Sequence, residues 1–233
     1  METIEASFLR RLRIPFDRLR AKQALKKFHS KKRSAIEIVK HSMKFPSSGC
    51  FRIDSIQIES ELLSLVNQVR SLSPKVILEI GTARGGTLFA WSQLASDLVV
   101  SCDLTGPGYK KEFYKNLPPP ESNCKIINLQ GSSHDPQTKA AIRSSLNKQS
   151  VDFLFLDGDH TEIGVEQDFN DYIEFVRPGG LVAFHDVVQN QPYPTNQVYY
   201  FWSKIKHKYE YSEYINSANQ CGFGIGVIKV PVE

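Results

Sequence analysis

Val76-Ile77-Leu78-Glu79-Ile80-Gly81-Thr82-Ala83-Arg84-Gly85-Gly86-Thr87 is a short apolar run that breaks into a glycine-rich turn and leads directly into the helix-like segment 88–94. Strand, glycine turn and helix in that order are the unit from which open α/β sheets build ligand crevices. Glycine lacks a Cβ, so the chain turns tightly and its backbone approaches a ligand closely, while the amides of the new helix point into the crevice. The spacing is G-x-x-x-G-G, which departs from the G-x-G-x-x-G of dinucleotide binders. Alone the loop is weak evidence, because such turns also serve packing.

The neighbouring sequence strengthens it. Runs at 98–103, 124–129, 151–156 and 180–185 are nearly all apolar, as strands covered on both faces require, and amphipathic stretches separate them. Each run ends in polar or flexible residues: Asp103, Gly131-Ser132-Ser133, Asp157 and His185-Asp186. In a parallel sheet these ends share one rim, where Asp103 is suited to ribose hydroxyls and 131–133 to the border of an adenine ring. Glu79 adds a carboxylate at the end of the first strand. Segments 209–215 and 223–230 follow one another as strands around Asn219-Gln220-Cys221-Gly222 and must pair antiparallel. The expected fold is therefore α/β and Rossmann-like, with seven mostly parallel strands (the last antiparallel), helices on both faces and an N-terminal helical arm.

With 233 residues, 41% of them hydrophobic, the chain suits one catalytic domain over 51–233 behind a basic arm over 1–50. The net charge of +4 hides an asymmetry: the arm holds 13 Lys and Arg against 4 Asp and Glu, and the remainder 16 against 21. The arm reads as helices interrupted at Pro15, with Phe8, Leu9, Leu12, Leu19, Ile36, Ile38 and Val39 as its apolar positions. It is expected to pack on the domain or to join subunits in a homo-oligomer. Nucleic acid is a weaker expectation, since the aromatic interleaving of single-strand binders is missing, and peripheral contact with an anionic membrane stays open. Cys50, Cys102, Cys124 and Cys221 have neither metal nor disulfide spacing, so a reducing, cytoplasmic setting is expected. No apolar run reaches the eighteen residues or so that a membrane-spanning helix needs.

Four motifs carry a family resemblance over roughly residues 50–230: Ile77-Leu78-Glu79-Ile80-Gly81-Thr82 with Gly85-Gly86-Thr87, Gly131-Ser132-Ser133-His134-Asp135-Pro136, Leu156-Asp157-Gly158-Asp159-His160-Thr161, and Arg177-Pro178-Gly179-Gly180 through Phe184-His185-Asp186. Together they resemble class I S-adenosylmethionine-dependent methyltransferases, and within them the cephalosporin-hydroxylase-like and macrolide-sugar O-methyltransferase group. The resemblance implies that S-adenosylmethionine is held by Glu79, Gly81, Thr82, Ala83, Arg84, Gly85, Gly86, Thr87, Asp103, Gly131, Ser132, Ser133 and Asp157. It implies methyl transfer to the hydroxyl of a small molecule, a sugar or glycosylated metabolite. In those sugar enzymes a D-x-x-H segment supplies a magnesium ligand and a general base, and a Glu-Asp pair completes the metal site. Asp157 and His160 match the first pattern, as catalytic residues. His185-Asp186 stands where Glu-Asp is the rule, so the implied set for Mg²⁺ or Mn²⁺ is Asp157, His185 and Asp186, and imidazole favours a softer ion than magnesium.

Plainer readings compete at several positions. The turn 157–160 also suits a cap for a helix beginning near Glu162, with Asp159 or Thr161 as N-cap, and Asp135 before Pro136 suits another. His134 is then structural or adjacent to the cofactor. Tyr193, Tyr199, Tyr200, Phe201 and Trp202 either wall an acceptor pocket or pack the last helix, and Arg84 either reaches the donor carboxylate or faces solvent. An RNA methyltransferase using the basic arm, and a non-catalytic donor-binding relative, are the alternative functions.

Overall fold

The computed structural model describes residues 4–232, with side chains from Leu12 onward. The elements run α1 (Ile4–His29), α2 (Ala35–Met43), α3 (Glu59–Ser71), β1 (Val76–Ile80), α4 (Gly86–Ser92), β2 (Leu98–Asp103), α5 (Lys111–Tyr114), β3 (Lys125–Gln130), α6 (Pro136–Leu146), β4 (Val151–Leu156), α7 (Glu162–Tyr172), β5 (Val176–His185), α8 (Val198–Ile205), β6 (Glu210–Tyr214) and β7 (Ile225–Lys229), with short 3₁₀ turns between some of them. One seven-stranded sheet has the order β3-β2-β1-β4-β5-β7-β6. Only β7 runs against the rest, inserted between β5 and β6.

Alternation along the strands sorts the core into two layers. Ile77, Val99, Phe153 and Phe155 face α2, α3 and α4, where Leu62, Leu65, Phe89 and Trp91 pack. Leu78, Val100, Leu154 and Leu156 face α6, α7 and α8, against Ile142, Phe169 and Trp202. Helices therefore cover both faces, and the charged residues gather along the strand ends. The fifth strand starts earlier than its sequence suggests, at Val176, because an irregularity opposite Val151 and Phe153 absorbs the residues around Pro178-Gly179.

Two expectations about the arm change. Pro15 does not interrupt α1; its ring is exposed, so the backbone hydrogen bond it deletes lies where water can serve the carbonyl. The break falls instead at Ser30–Ser34, where Ser34 and Glu37 form a reciprocal capping box for α2. From Ala21 onward the arm shares the domain core, since Ala21, Leu25, Phe28, Ile38 and Val39 are buried with Leu62 and Phe89. Phe8 and Leu9 lie outside the described side chains. No helix among the described residues is long and apolar enough to cross a membrane.

Just past the paired ends of β1 and β4, Gly81 has a φ of +96°, and a Cβ added to it would sit 2.0 Å from the Asp157 carbonyl oxygen. Both the dihedral and the contact exclude a side chain. Gly81→Ala is expected to cost at least about 2 kcal/mol and to lower Tm by roughly 4–8 °C, measurable by thermal unfolding. An unchanged Tm would mean that the two strand ends stand further apart than described.

Candidate active site

The glycine loop is pinned by the neighbouring strand. Asp103, at the end of β2, accepts the amides of Thr82 and Ala83 on Oδ2 at 2.9 and 2.7 Å, and the amide and hydroxyl of Thr105 on Oδ1, both at 2.7 Å. From the opposite side, Tyr114 and Lys110 both donate to the Arg84 carbonyl, at 3.0 and 2.9 Å. Neither Lys110 nor Tyr114 carries a motif, so nothing in the sequence singled them out. Ala83 takes a φ of +43°, and α4 begins at Gly86, two residues earlier than its apolar pattern suggests. Gly86 is required because a Cβ there would meet the backbone of Asp54 and Ser55 at about 2.5 Å.

Two cavities open along this rim. One, of about 490 Å³, is lined by Gly81, Ala83, Asp103, Leu104 and the segments 131–134 and 157–160. The other, of about 470 Å³, is lined by the segments 54–57, 81–84 and 191–193 with Gly86, Thr87, Asp157, His160, His185, Asp186, Asn196 and Phe223. They share Gly81, Ala83, Asp157 and His160. Gly81, Thr82, Ala83, Arg84, Gly86, Thr87, Asp103, Gly131, Ser132, Ser133 and Asp157 thus border one cavity or the other, whereas Gly85 and Glu79 border neither. The φ of +85° at Gly85 and the Tyr114 hydroxyl 2.3 Å from its would-be Cβ explain that glycine by packing. Arg84 is engaged with Asp54 at 3.0 Å and borders the second cavity, not the first.

At the junction stand two carboxylates and two imidazoles. His160 Nε2 is 3.3 Å from Asp157 Oδ1, and its Nδ1 is 3.0 Å from Asp186 Oδ2. His185, buried beneath, brings Nδ1 within 3.1 Å of Asp157 and 3.5 Å of Asp186 without lining up on either, and its Nε2 has no hydrogen-bond partner. Gln57 donates to Asp157 Oδ2, while Asn196 and the Phe223 amide donate to Asp186, which adopts a φ of +64°. Hydrogen bonds to Asp157 and Asp186 raise His160 to about 10 against the opposing effect of burial. Burial pulls His185 down, yet Asp157 and then Asp186 outweigh it and raise that imidazole to about 10 as well. Burial likewise opposes the charge on Asp157 and Asp186, but the two imidazoles hold both carboxyls below the usual carboxylate range.

Ligand atoms of Asp157, His160 and Asp186 lie within 4.8 Å of one another, so the three suit a single cation. His160 stands in this group where the sequence suggested His185, whose Nδ1 also comes within 3.1 Å of Asp157 and 3.5 Å of Asp186. Carboxylate and imidazole together fit a divalent first-row ion, and the unpartnered Nε2 of His185 leaves a further nitrogen donor close by.

The capping and site readings of 157–160 hold at once. Thr161 caps α7 by accepting from Gly164, and Asp159 accepts from Thr161, which leaves Asp157 and His160 to the junction. Asp135 caps α6, with Pro136 as its first residue. His134 borders the first cavity between Asp159 and Asp168, each 3.4 Å away. The aromatic group divides: Phe201 and Trp202 are core, whereas Tyr193 is 70% exposed beside the second cavity. Asp54, Gln57, Gln191, Asn196 and Phe223 had no motif to reveal them, and Phe223 lies outside β7 with a φ of +62°.

A family described as a methyltransferase domain matches residues 78–187, the span from β1 to the end of the carboxylate–imidazole cluster. Among solved structures, the O-methyltransferase TomG from Streptomyces achromogenes, involved in tomaymycin synthesis and bound to SAM, is similar at a TM-score of 0.58 and 15% identity, covering 87% of this chain and 92% of that one. An O-methyltransferase from Bacillus cereus in complex with SAH gives 0.55 and 16%, covering 86% and 92%. MycE, from the mycinamycin biosynthetic pathway and bound to Mg, SAH and mycinamycin VI, gives 0.58 and 16%, covering 87% of this chain and 54% of its own. The uncharacterized protein y4gI of Sinorhizobium fredii is 29% identical over 128 residues, 51% of this chain and 14% of its own length, so the chain spans about a seventh of that relative. The fold is that of the class I methyltransferases. Residues 78–187 match a methyltransferase domain built on it.

Glu79 is the clearest departure from the expected contacts. Strand alternation turns it under α4, fully buried, where it accepts from Trp91 Nε1 at 2.9 Å and from Ser101. Burial, only partly offset by those donors, raises its carboxyl to about 7. The unfolded chain releases this proton near pH 4.5, so the protein loses stability as pH rises from there through 7. Glu79→Gln removes the ionisation, and between pH 5 and 8 urea unfolding is expected to move in favour of the variant by on the order of 3 kcal/mol. A difference independent of pH would contradict the buried placement.

Proposed function

We propose that this protein transfers the methyl group of S-adenosylmethionine to a hydroxyl of a small polyhydroxylated acceptor, a sugar or a glycosylated metabolite. One observation carries the reading: two cavities of similar size that share only Gly81, Ala83, Asp157 and His160. In-line displacement at a sulfonium needs the donor on one side of a point, the nucleophilic oxygen on the other, and a base beside that oxygen. The first cavity suits the donor, with Asp103 toward the ribose and 131–134 toward the adenine.

Acceptor chemistry follows from the second cavity. Asp54 Oδ1, Gln57 Oε1 and Asn196 Oδ1 are buried there without a hydrogen-bond partner. The polar side chains of these three residues line the cavity and suit the hydroxyl groups of a ligand held against it. Ile56, Pro192, Tyr193 and Phe223 add apolar wall that suits the C–H face of a sugar ring.

Asp157 and Asp186, with an imidazole nitrogen, would hold a divalent ion, manganese before magnesium. When bound, such an ion lowers the pKa of a coordinated hydroxyl and fixes its direction. His185 supplies the nitrogen to the ion, and His160, the imidazole common to both cavities, is left to take the proton of the hydroxyl. The two carboxylates keep that imidazole protonated up to about pH 10, so it becomes a base only when their charge is neutralised.

Asp157→Ala and His160→Ala are expected to keep affinity for S-adenosylhomocysteine within about tenfold while losing at least about a hundredfold in turnover. Methyl transfer to a panel of glycosides, with Mn²⁺ or Mg²⁺ supplied, is the readout. A wild-type protein that binds the donor but methylates none of them would favour a non-catalytic donor-binding relative.

A further inference from the structure

From the exposed face of α1 we infer that this protein docks on anionic membrane surfaces, with that helix lying in the plane of the headgroups. Leu12, Phe16 and Leu19 follow the i, i+4, i+7 spacing of one helix face and are 54, 71 and 54% exposed. Arg13, Arg20 and Lys27 flank this stripe on one side, and Lys22 and Lys26 on the other, all exposed. None of the five has an ion-pair partner among the described residues. The one acid between residues 12 and 29 is Asp17, turned to the opposite side, where it accepts from Ser48. An apolar stripe between basic flanks is the arrangement of helices that sink partway into an anionic interface.

Other occupants fit less well. A second copy would set one basic face against another, with no acid on either face among the residues whose side chains are described. A nucleic acid would use the charge and leave Leu12, Phe16 and Leu19 in water. The opposite side of α1 is fixed to the domain: Asp17 holds Ser48, and the Arg18 guanidinium lies 5.7 Å over the Phe51 ring. That segment leads into 54–57, which walls the acceptor cavity.

The test is co-sedimentation of the full chain with phosphatidylcholine vesicles, with and without about a third phosphatidylglycerol, at low and high salt. Binding is expected only to the anionic vesicles and weakened by salt. Phe16→Gln combined with Leu19→Gln should lower it at least about tenfold, while affinity for S-adenosylhomocysteine stays unchanged as the control for folding. Failure of the wild type to bind anionic vesicles overturns the inference, as does equal binding by the folded variant. A concentration-dependent dimer dissolved by the same substitutions, or salt-sensitive RNA binding in place of vesicle binding, would assign the face to those partners instead.

Discussion

The carboxylate of Asp103 accepts the amides of Thr82 and Ala83, and the rest of the site takes its position from that clamp. A turn containing three glycines has many conformations available, and the entropy of ordering it opposes any one of them. Charge-assisted hydrogen bonds from the adjacent strand select one, and Tyr114 and Lys110 secure it from behind through the Arg84 carbonyl. The loop then stands against the end of β4, where Gly81 allows it to touch the Asp157 backbone. The two cavities meet where these strand ends meet.

Electrostatics supply the second constraint. Asp157 and Asp186 are both largely withdrawn from water, a costly arrangement unless positive charge lies between them. His160 and His185 stand beside them, and the carboxylates favour the protonated form of each imidazole. A bound divalent ion would compete with those protons for the same oxygens, which links proton release, metal loading and the availability of His160 as a base. Asp54, Gln57 and Asn196 line the same space with polar side chains.

Much of this was legible in the residues. Apolar runs ending in Asp103, Gly131 and Asp157 marked strands whose ends share a rim, since strand period and parallel pairing leave few alternatives. Glu79 departs from its expected place for the same physical reason that makes the strand recognisable: alternation sends it beneath α4, to Trp91. Pro15, expected to interrupt the arm, leaves α1 continuous because its ring is exposed. The wall of the second cavity was not legible because Asp54, Gln57, Asn196 and Phe223 come from irregular segments far apart in the chain, with no period or spacing to join them. The exchange of His160 for His185 in the cation group depended on side-chain direction, which a sequence motif does not contain.

The central claim is that the clamped glycine loop and Asp103 grip one adenosyl ligand. Calorimetric titration with S-adenosylhomocysteine, on the wild type and on Asp103→Ala, tests it most directly. One-to-one binding by the wild type, weakened about 10- to 100-fold in the variant, is the expected result. No heat from the wild type at any of several temperatures, or equal affinity in the two proteins, would contradict it.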